Sequence, residues 1–269
     1  MRIDPTTYEL HTYPLTSQGF GDNKVYCLYE DKQGTIWAGT LGSGLFYYDP
    51  ATQQFVCLCD KANPSAIPPT SYVSAVLEDA DGVLWVGTMY GLYALRQSGD
   101  GTLQYTLYMP DNTPGSLSSN GVQTLYEDKR RNLWIGTVDN GLNVRRKGSD
   151  LFEVYRKEDG IASRSIRGIL ADAAGNIWVN SNGGLSRFDP ERASFTNYTR
   201  EDGLASNNLY QNACLRSRTG ELFFGSNDGF NAFFADSTPR NTEQPVVYLS
   251  GLRINNQSAG IGTEGSPLQ

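Results

Sequence analysis

Helical periodicity is missing from this chain, and so are basic runs, long apolar runs and all but one histidine. No segment repeats its apolar residues at helical spacing for long enough to compete with strands, which excludes bundles and helix-rich architectures. Lys plus Arg number 22 against 29 for Asp plus Glu, a net charge of −7. No basic stretch exists to neutralise phosphates, so nucleic acid is excluded as a partner. Nothing approaches the run of about 18 apolar residues that a spanning helix needs. The opening MRIDPTTYEL has no apolar core of a signal peptide, so the chain taken literally stays in the cytoplasm.

The scarce chemistry is scattered. Four cysteines, Cys27, Cys57, Cys59 and Cys214, show no metal-ligand spacing. Cys57 and Cys59 would share one face of a strand, where such neighbours rarely bridge, so all four are expected as buried free thiols. The one histidine, His11 in YELHTYPL, reads as an outer-strand residue rather than part of a triad or zinc site. No metal and no cofactor are expected. GSG at 42–44 and GG at 183–184 precede no helix, so they are not phosphate loops.

Glycine, by contrast, is abundant at 29 residues, and proline adds 12, which suits many short strands joined by turns. EDKQGTIWAGT at 30–40 returns as EDADGVLWVGT at 78–88 and EDKRRNLWIGT at 127–137. Trp37, Trp85, Trp134 and Trp178 are 48, 49 and 44 residues apart, and Phe223 follows after 45 more. A period of about 40–50 residues carrying four strands predicts the blades of an all-β propeller. A motif needed several times is architecture. Asp31, Asp79, Asp128 and Asp172 are expected to cap the first hairpin turn, and Gly to supply its positive φ. In the third unit Arg131 and Asn132 replace that Gly, with Asn132 expected in the left-handed conformation. The four Trp and Phe223 are expected to fill the gaps between blades.

The pattern V-x-x-L-x-E-D-x-x-G-x-x-W-x-G-T, followed by G-L-x-x-x-D-P, resembles the two-component regulator propeller repeat. Its departures are Asn180-Ser181 for Gly-Thr in unit four and Phe223 for Trp in unit five. PRNTEQPVVYLSGLRINNQ is similar to the start of the Y_Y_Y β-sandwich that follows such propellers. The division expected is 1–240 for blades and 241–269 for a linker and truncated sandwich. Within the first, 1–20 is the remnant of a preceding blade, and the units lie near 21–60, 70–109, 118–157, 163–200 and 206–236. "IDP" at 3–5 matches "YDP" and "FDP" elsewhere. Five units are expected to form an arc of a larger, seven-bladed ring rather than a closed small one.

The resemblance, and not the composition, implies a periplasmic sensor region of a hybrid histidine kinase that detects glycan-derived ligands. It implies an oligosaccharide ligand, adjoining propeller and sandwich domains, and no membrane contact by this segment; an exposed edge would also permit a homodimer. The repeated carboxylates share one rim with the turns, so no enzyme is expected in this chain. On the opposite rim Tyr90, Asn140, Arg164, Asn182, Asn208 and Tyr210 are the ligand candidates, within a wider set that includes Asn23, Tyr72 and Arg167. Amides, arginine and tyrosine at a ring mouth offer forked hydrogen bonds and a flat face to a sugar. The same residue types also serve turns. A spacer without its own ligand, or a propeller lyase or glycosidase, are the competing readings.

Overall fold

The computed structural model describes residues 2–3, 6–13, 15, 24–58, 66–68, 71–100, 102–237, 252–254 and 257–259. Asn23, Cys59 and most of 241–269 lie outside the described residues. Two units separate, 1–236 and 237–269. The second contains one described hairpin, β22 (Leu252–Ile254) with β23 (Gln257–Ala259).

Each repeat becomes an antiparallel meander. Blade 1 is β3 (Val25–Glu30), β4 (Ile36–Thr40), β5 (Leu45–Asp49) and β6 (Gln54–Cys57). Blade 2 is β7 (Val73–Glu78), β8 (Leu84–Thr88), β9 (Gly91–Gln97) and β10 (Leu103–Tyr108). Blade 3 is β11 (Val122–Glu127), β12 (Leu133–Thr137), β13 (Leu142–Arg145) and β14 (Phe152–Tyr155). Blade 4 is β15 (Ile166–Ala171), β16 (Ile177–Ser181), β17 (Gly184–Asp189) and β18 (Ser194–Tyr198). Among the described residues blade 5 comprises β19 (Leu209–Arg216), β20 (Leu222–Ser226) and β21 (Gly229–Phe233). A 3-10 turn at Ala235–Ser237 follows β21.

The turn between the first two strands is tied to the tryptophan. Asp79 accepts the backbone N–H of Asp81 and Val83 at 2.9 Å on one oxygen and the Trp85 ring N–H at 2.7 Å on the other. Asp31, Asp128 and Asp172 accept from Trp37, Trp134 and Trp178 in the same way, at 2.8, 2.8 and 3.0 Å. In unit five Ser217 stands for the aspartate and accepts Glu221 N–H, where Phe223 has no ring N–H to offer. The third turn corrects the expectation for Asn132: Arg131 takes the glycine position at φ 65°. The Asn132 amide instead donates to Asp128 at 2.9 Å.

Gly-Thr also has two separate tasks. A Cβ on Gly87 would lie 2.6 Å from the Val122 side chain of the next blade, and one on Gly136 2.7 Å from Ile166. The Thr hydroxyl donates to the glycine carbonyl that opens the third strand, as in Thr40 to Gly44 at 2.8 Å. Ser181 and Ser226 keep that bond to Gly184 and Gly229.

Four apolar clusters fill the four blade boundaries. Trp85 lies among Leu92, Val122, Leu133 and Phe152 of blades 2 and 3. Trp134 faces Ile166, Ile169 and Phe188, and Trp178 faces Leu209, Leu222 and Phe224. Trp37, partly buried, packs on the cluster of Val73, Val76 and Val86.

The inner strands of successive blades pack in order, β3 on β7, β7 on β11, β11 on β15 and β15 on β19. Among the described residues β3 and β19 do not pack in that way. Leu28 of blade 1 is 66% exposed and Leu215 of blade 5 is 63% exposed, so neither is covered by another described blade. Leu10–His11 (β2) pairs with Arg2–Ile3 (β1), not with β21. Tyr8, Gln53 and Ala193, each the fifth residue counted from a DP aspartate in the sequence, all adopt positive φ.

One cysteine expectation is corrected. Cys57 is disulfide-bonded, whereas Cys27 and Cys214 are free. Burial pushes both free thiols up to about 11.

Candidate functional site

The first strand of every blade carries an irregularity at the same place. Register shifts fall between Val25 and Cys27, Val73 and Ala75, Val122 and Thr124, and Ile166 and Gly168. A bulge bends the strand and re-aims the extra side chain. The re-aimed residues are Tyr26, Ser74, Gln123 and Arg167.

Blade 5 exaggerates this device. Ile166 and Ile169 face Ser181 and Val179, whereas Leu209 and Cys214 face the equivalent Ser226 and Phe224. Three steps in blade 4 are met by five in blade 5, so the bulge there is two residues longer. Asn212 within it adopts φ 54°. Its side chains cross to distant blades: Gln211 accepts from Tyr26 OH of blade 1 at 2.6 Å and donates to the Gln123 carbonyl of blade 3 at 2.9 Å. Asn212 donates to the Ser74 carbonyl of blade 2 at 3.2 Å. Bonds that join blade 5 to blades 1, 2 and 3 run across the axis of the arc.

Above this floor is a cavity of about 540 Å³ lined by Leu41, Gly42, Tyr72, Met89, Tyr90, Gln123, Val138 and Gln211. Its walls are the β4–β5, β8–β9 and β12–β13 loops. Each loop is pinned to the entry of a first strand, by Leu41 N–H to Lys24, Met89 N–H to Tyr72 and Val138 N–H to Gly121. Tyr72 packs beside Tyr26 with centroids 5.2 Å apart and the rings tilted by 50°. Burial, and then the Tyr26 hydroxyl beside it, raise the Tyr72 phenol well above its ordinary value, so it stays a neutral donor. Tyr90 is 62% exposed and offers a free ring face at the mouth. Arg167 donates to Asn208 Oδ1 at 2.8 Å and the Leu209 carbonyl at 3.0 Å, spanning blades 4 and 5.

Of the six residues expected at the mouth, Tyr90 lines the cavity. The other five are not among its lining residues and make local bonds: Asn140 donates to the Ser118 carbonyl, Arg164 to Glu158, and Asn182 accepts from Ser163. Asn208 accepts from Arg167, while Tyr210 is half exposed on the long bulge, its carbonyl held by Asn180. Sequence reasoning missed Tyr26, Gln123 and Gln211. A signal for the long bulge was present: 11 residues separate Leu209 from Gly220, against 9 between Ile166 and Gly175.

The opposite rim belongs to the turns. Glu78 accepts the N–H of Lys32 from the preceding blade at 2.8 Å, and Glu127 that of Ala80 at 2.9 Å. Burial raises the Glu127 carboxyl somewhat, the Ala80 bond opposing it. His11 is exposed in the N-terminal hairpin. Among the described residues no three His, Cys, Asp or Glu gather as a metal site, and no helix is long and apolar enough to cross a membrane.

Meanders around an axis, with a polar floor and an aromatic mouth, define a β-propeller. The repeat itself is recognised in three segments, 19–42, 67–90 and 116–139, which match the family described as Two component regulator propeller. Those three segments carry that repeat. Units four and five, with Asn180-Ser181 and Phe223, lie outside the matched segments. Along 98% of its length the chain is 28% identical to Histidine kinase P4 of Formosa agariphila, of which it spans 20%. It resembles the extracellular domain of the hybrid two component system BT3049 of B. thetaiotaomicron, with TM-score 0.55 and 19% identity over 94% of this chain and 40% of that one. PorZ, a surface component of the type-IX secretion system of Porphyromonas gingivalis, has TM-score 0.64 and 17% identity over 84% of this chain and 34% of that one. A catalytically inactive form of virginiamycin B lyase from Staphylococcus aureus has TM-score 0.59 and 14% identity over 86% of this chain and 75% of that one. At such identities the structural likenesses show the fold alone. The chain spans a fifth of the curated relative and less than half of the two-component and secretion structures.

Proposed function

We propose that this chain is a non-catalytic sensing segment of a hybrid two-component system, exposed outside the cytoplasm, and that its axial mouth receives a glycan-derived ligand. The repeat match and the likeness to a histidine kinase along nearly the whole chain support the signalling role. The observation that carries the ligand site is the convergence of Tyr72, Tyr90, Gln123 and Gln211 on one cavity. Tyr90 offers its ring to the apolar face of a sugar, and the floor amides and Tyr72 hydroxyl meet its hydroxyl edge. Asn140, Arg164, Asn182, Asn208 and Tyr210 form the surrounding rim. Binding there signals if the ligand prefers one arrangement of the parent sensor over another.

The spacer reading also has a specific observation in its favour: Gln211 already uses both ends of its amide on Tyr26 and Gln123. A lyase or glycosidase is disfavoured because the repeated carboxylates hold turns and tryptophans. An oligosaccharide array, followed by calorimetric titration of hits, decides between the first two. The expected result is weak binding that Tyr90→Ala and Gln123→Ala abolish without loss of fold. Binding indifferent to both variants, or none by the parent ectodomain, leaves the spacer.

A further inference from the structure

The residue that follows Gly-Thr, or its counterpart, holds the same place in every blade. It is Leu41, Met89, Val138, Asn182 and Asn227 in blades 1 to 5. In the first three its N–H is held by the carbonyl before a first strand, and its side chain lines the axial cavity. Met89 and Val138 meet across blades 2 and 3. A Cβ on Gly121 would stand 2.6 Å from Val138 Cγ2 and 3.5 Å from Met89 Cε. Blades 1 to 3 therefore give the mouth an aliphatic wall, whereas blades 4 and 5 carry exposed amides at the same position. The loop itself does not impose this difference: Thr88 and Ser181 make the same bond to the glycine carbonyl that follows.

The floor adds one open donor. Gln211 spends both ends of its amide, on the Tyr26 hydroxyl and the Gln123 carbonyl. The Gln123 side chain accepts from Ser165 through Oε1 at 3.4 Å. Its own amide N–H groups have no partner among the described residues, and the side chain lines the cavity.

None of the eight lining residues is acidic or basic. Nearby arginines are engaged elsewhere, Arg167 with Asn208 and the Leu209 carbonyl, Arg164 with Glu158. A carboxylate or sulfate entering here would lose its water without meeting a cation. A hydroxyl set against the aliphatic wall loses water too, whereas a methyl group gains by burial there.

We propose that the mouth selects an uncharged sugar bearing an N-acetyl group, an inference that rests on the glycan reading above and narrows it. The acetyl methyl lies against Leu41, Met89 and Val138, its carbonyl accepts from the Gln123 amide, and the sugar ring covers Tyr90. A hydroxyl at the same carbon also accepts from Gln123 but leaves the wall without an apolar partner.

Saturation-transfer NMR on the 269-residue chain tests this with matched trimers. These are glucose against N-acetylglucosamine, galactose against N-acetylgalactosamine, and glucuronate and galacturonate as acidic counterparts. One N-acetyl trimer is expected to bind about tenfold or more tightly than its hydroxyl match. The acetyl methyl should receive the strongest saturation, and the acidic trimers none. Met89→Asn, which gives blade 2 the residue of blades 4 and 5, is expected to lower that preference severalfold with an unchanged melt. Gln123→Leu is expected to weaken the N-acetyl ligand about tenfold, the worth of one hydrogen bond. Two results overturn the selectivity: equal binding with and without the acetyl group, or tighter binding of an acidic trimer. If Tyr90→Ala abolishes that binding, the glycan reading stands without this inference. No signal from any trimer overturns both.

Discussion

Asp79 shows what one side chain of the repeat accomplishes: it closes a turn with one oxygen and orients the indole of Trp85 with the other. Trp85→Ala removes a fully buried ring and is expected to cost about 3–5 kcal/mol. Trp85→Phe keeps most of the apolar volume but strips a buried carboxylate of a donor, an expected loss of about 1–3 kcal/mol. Unit five carries both changes together, Ser217 with Phe223, so Asp79→Ser should cost less in the Trp85→Phe background than in the wild type. Urea midpoints of the four proteins check this, and strict additivity would refute the coupling. The tandem of turn and tryptophan was legible in the sequence from its recurrence. The bond between them was not, because a six-residue separation becomes a contact only when the hairpin register is known.

The thiols give a second test at this scale. Cys27 and Cys214 are raised from 9.0 to about 11 by burial. Their thiolates form in the unfolded chain first, so their effect on stability is absent below about pH 9 and becomes unfavourable between about 9 and 11. Alkylation of the native protein at pH 8 should be negligible at both and fast after denaturation. Rapid native labelling would show that neither thiol is shielded.

Within a blade, side-chain sizes are matched across the first two strands. Thr124 lies beside Gly136, whereas blade 4 reverses the pair, with Gly168 beside Asn180. A Cβ on Gly168 would stand 2.7 Å from Asn180 Oδ1. Gly168→Thr is therefore expected to destabilise by about 1–3 kcal/mol through overpacking, and the added change Asn180→Gly to recover part of the loss. Thermal melts of the single and double variants check it; no recovery would mean that the two positions are not complementary. Asn180 looked in the sequence like a plain departure from Gly-Thr. Its compensation at Gly168 sits on the partner strand, and its amide reaches the Tyr210 carbonyl in the long bulge. Neither neighbour is visible from the motif alone. The rim candidates suffered similarly: Asn and Arg were recognised by type, but their engagement with Ser118, Glu158 or Ser163 depends on loop geometry.

At the scale of the molecule, four tryptophan-type boundaries hold five blades, and the long bulge of blade 5 ties the axis to blades 1, 2 and 3. The number of blades could be counted from the repeat, and the open arc could be expected from it. The floor of the mouth could not, since Tyr26, Gln123 and Gln211 meet only after the blades are assembled. The account's central claim is that these blades form an open arc in which, among the described residues, blade 5 does not cover the blade 1 face that carries Leu28. The most direct measurement is the alkylation rate of Leu28→Cys against Val76→Cys, two positions in the same register on consecutive blades, in protein dilute enough to be monomeric. The open arc predicts rapid reaction at position 28 and protection at position 76; equal protection at both would contradict it.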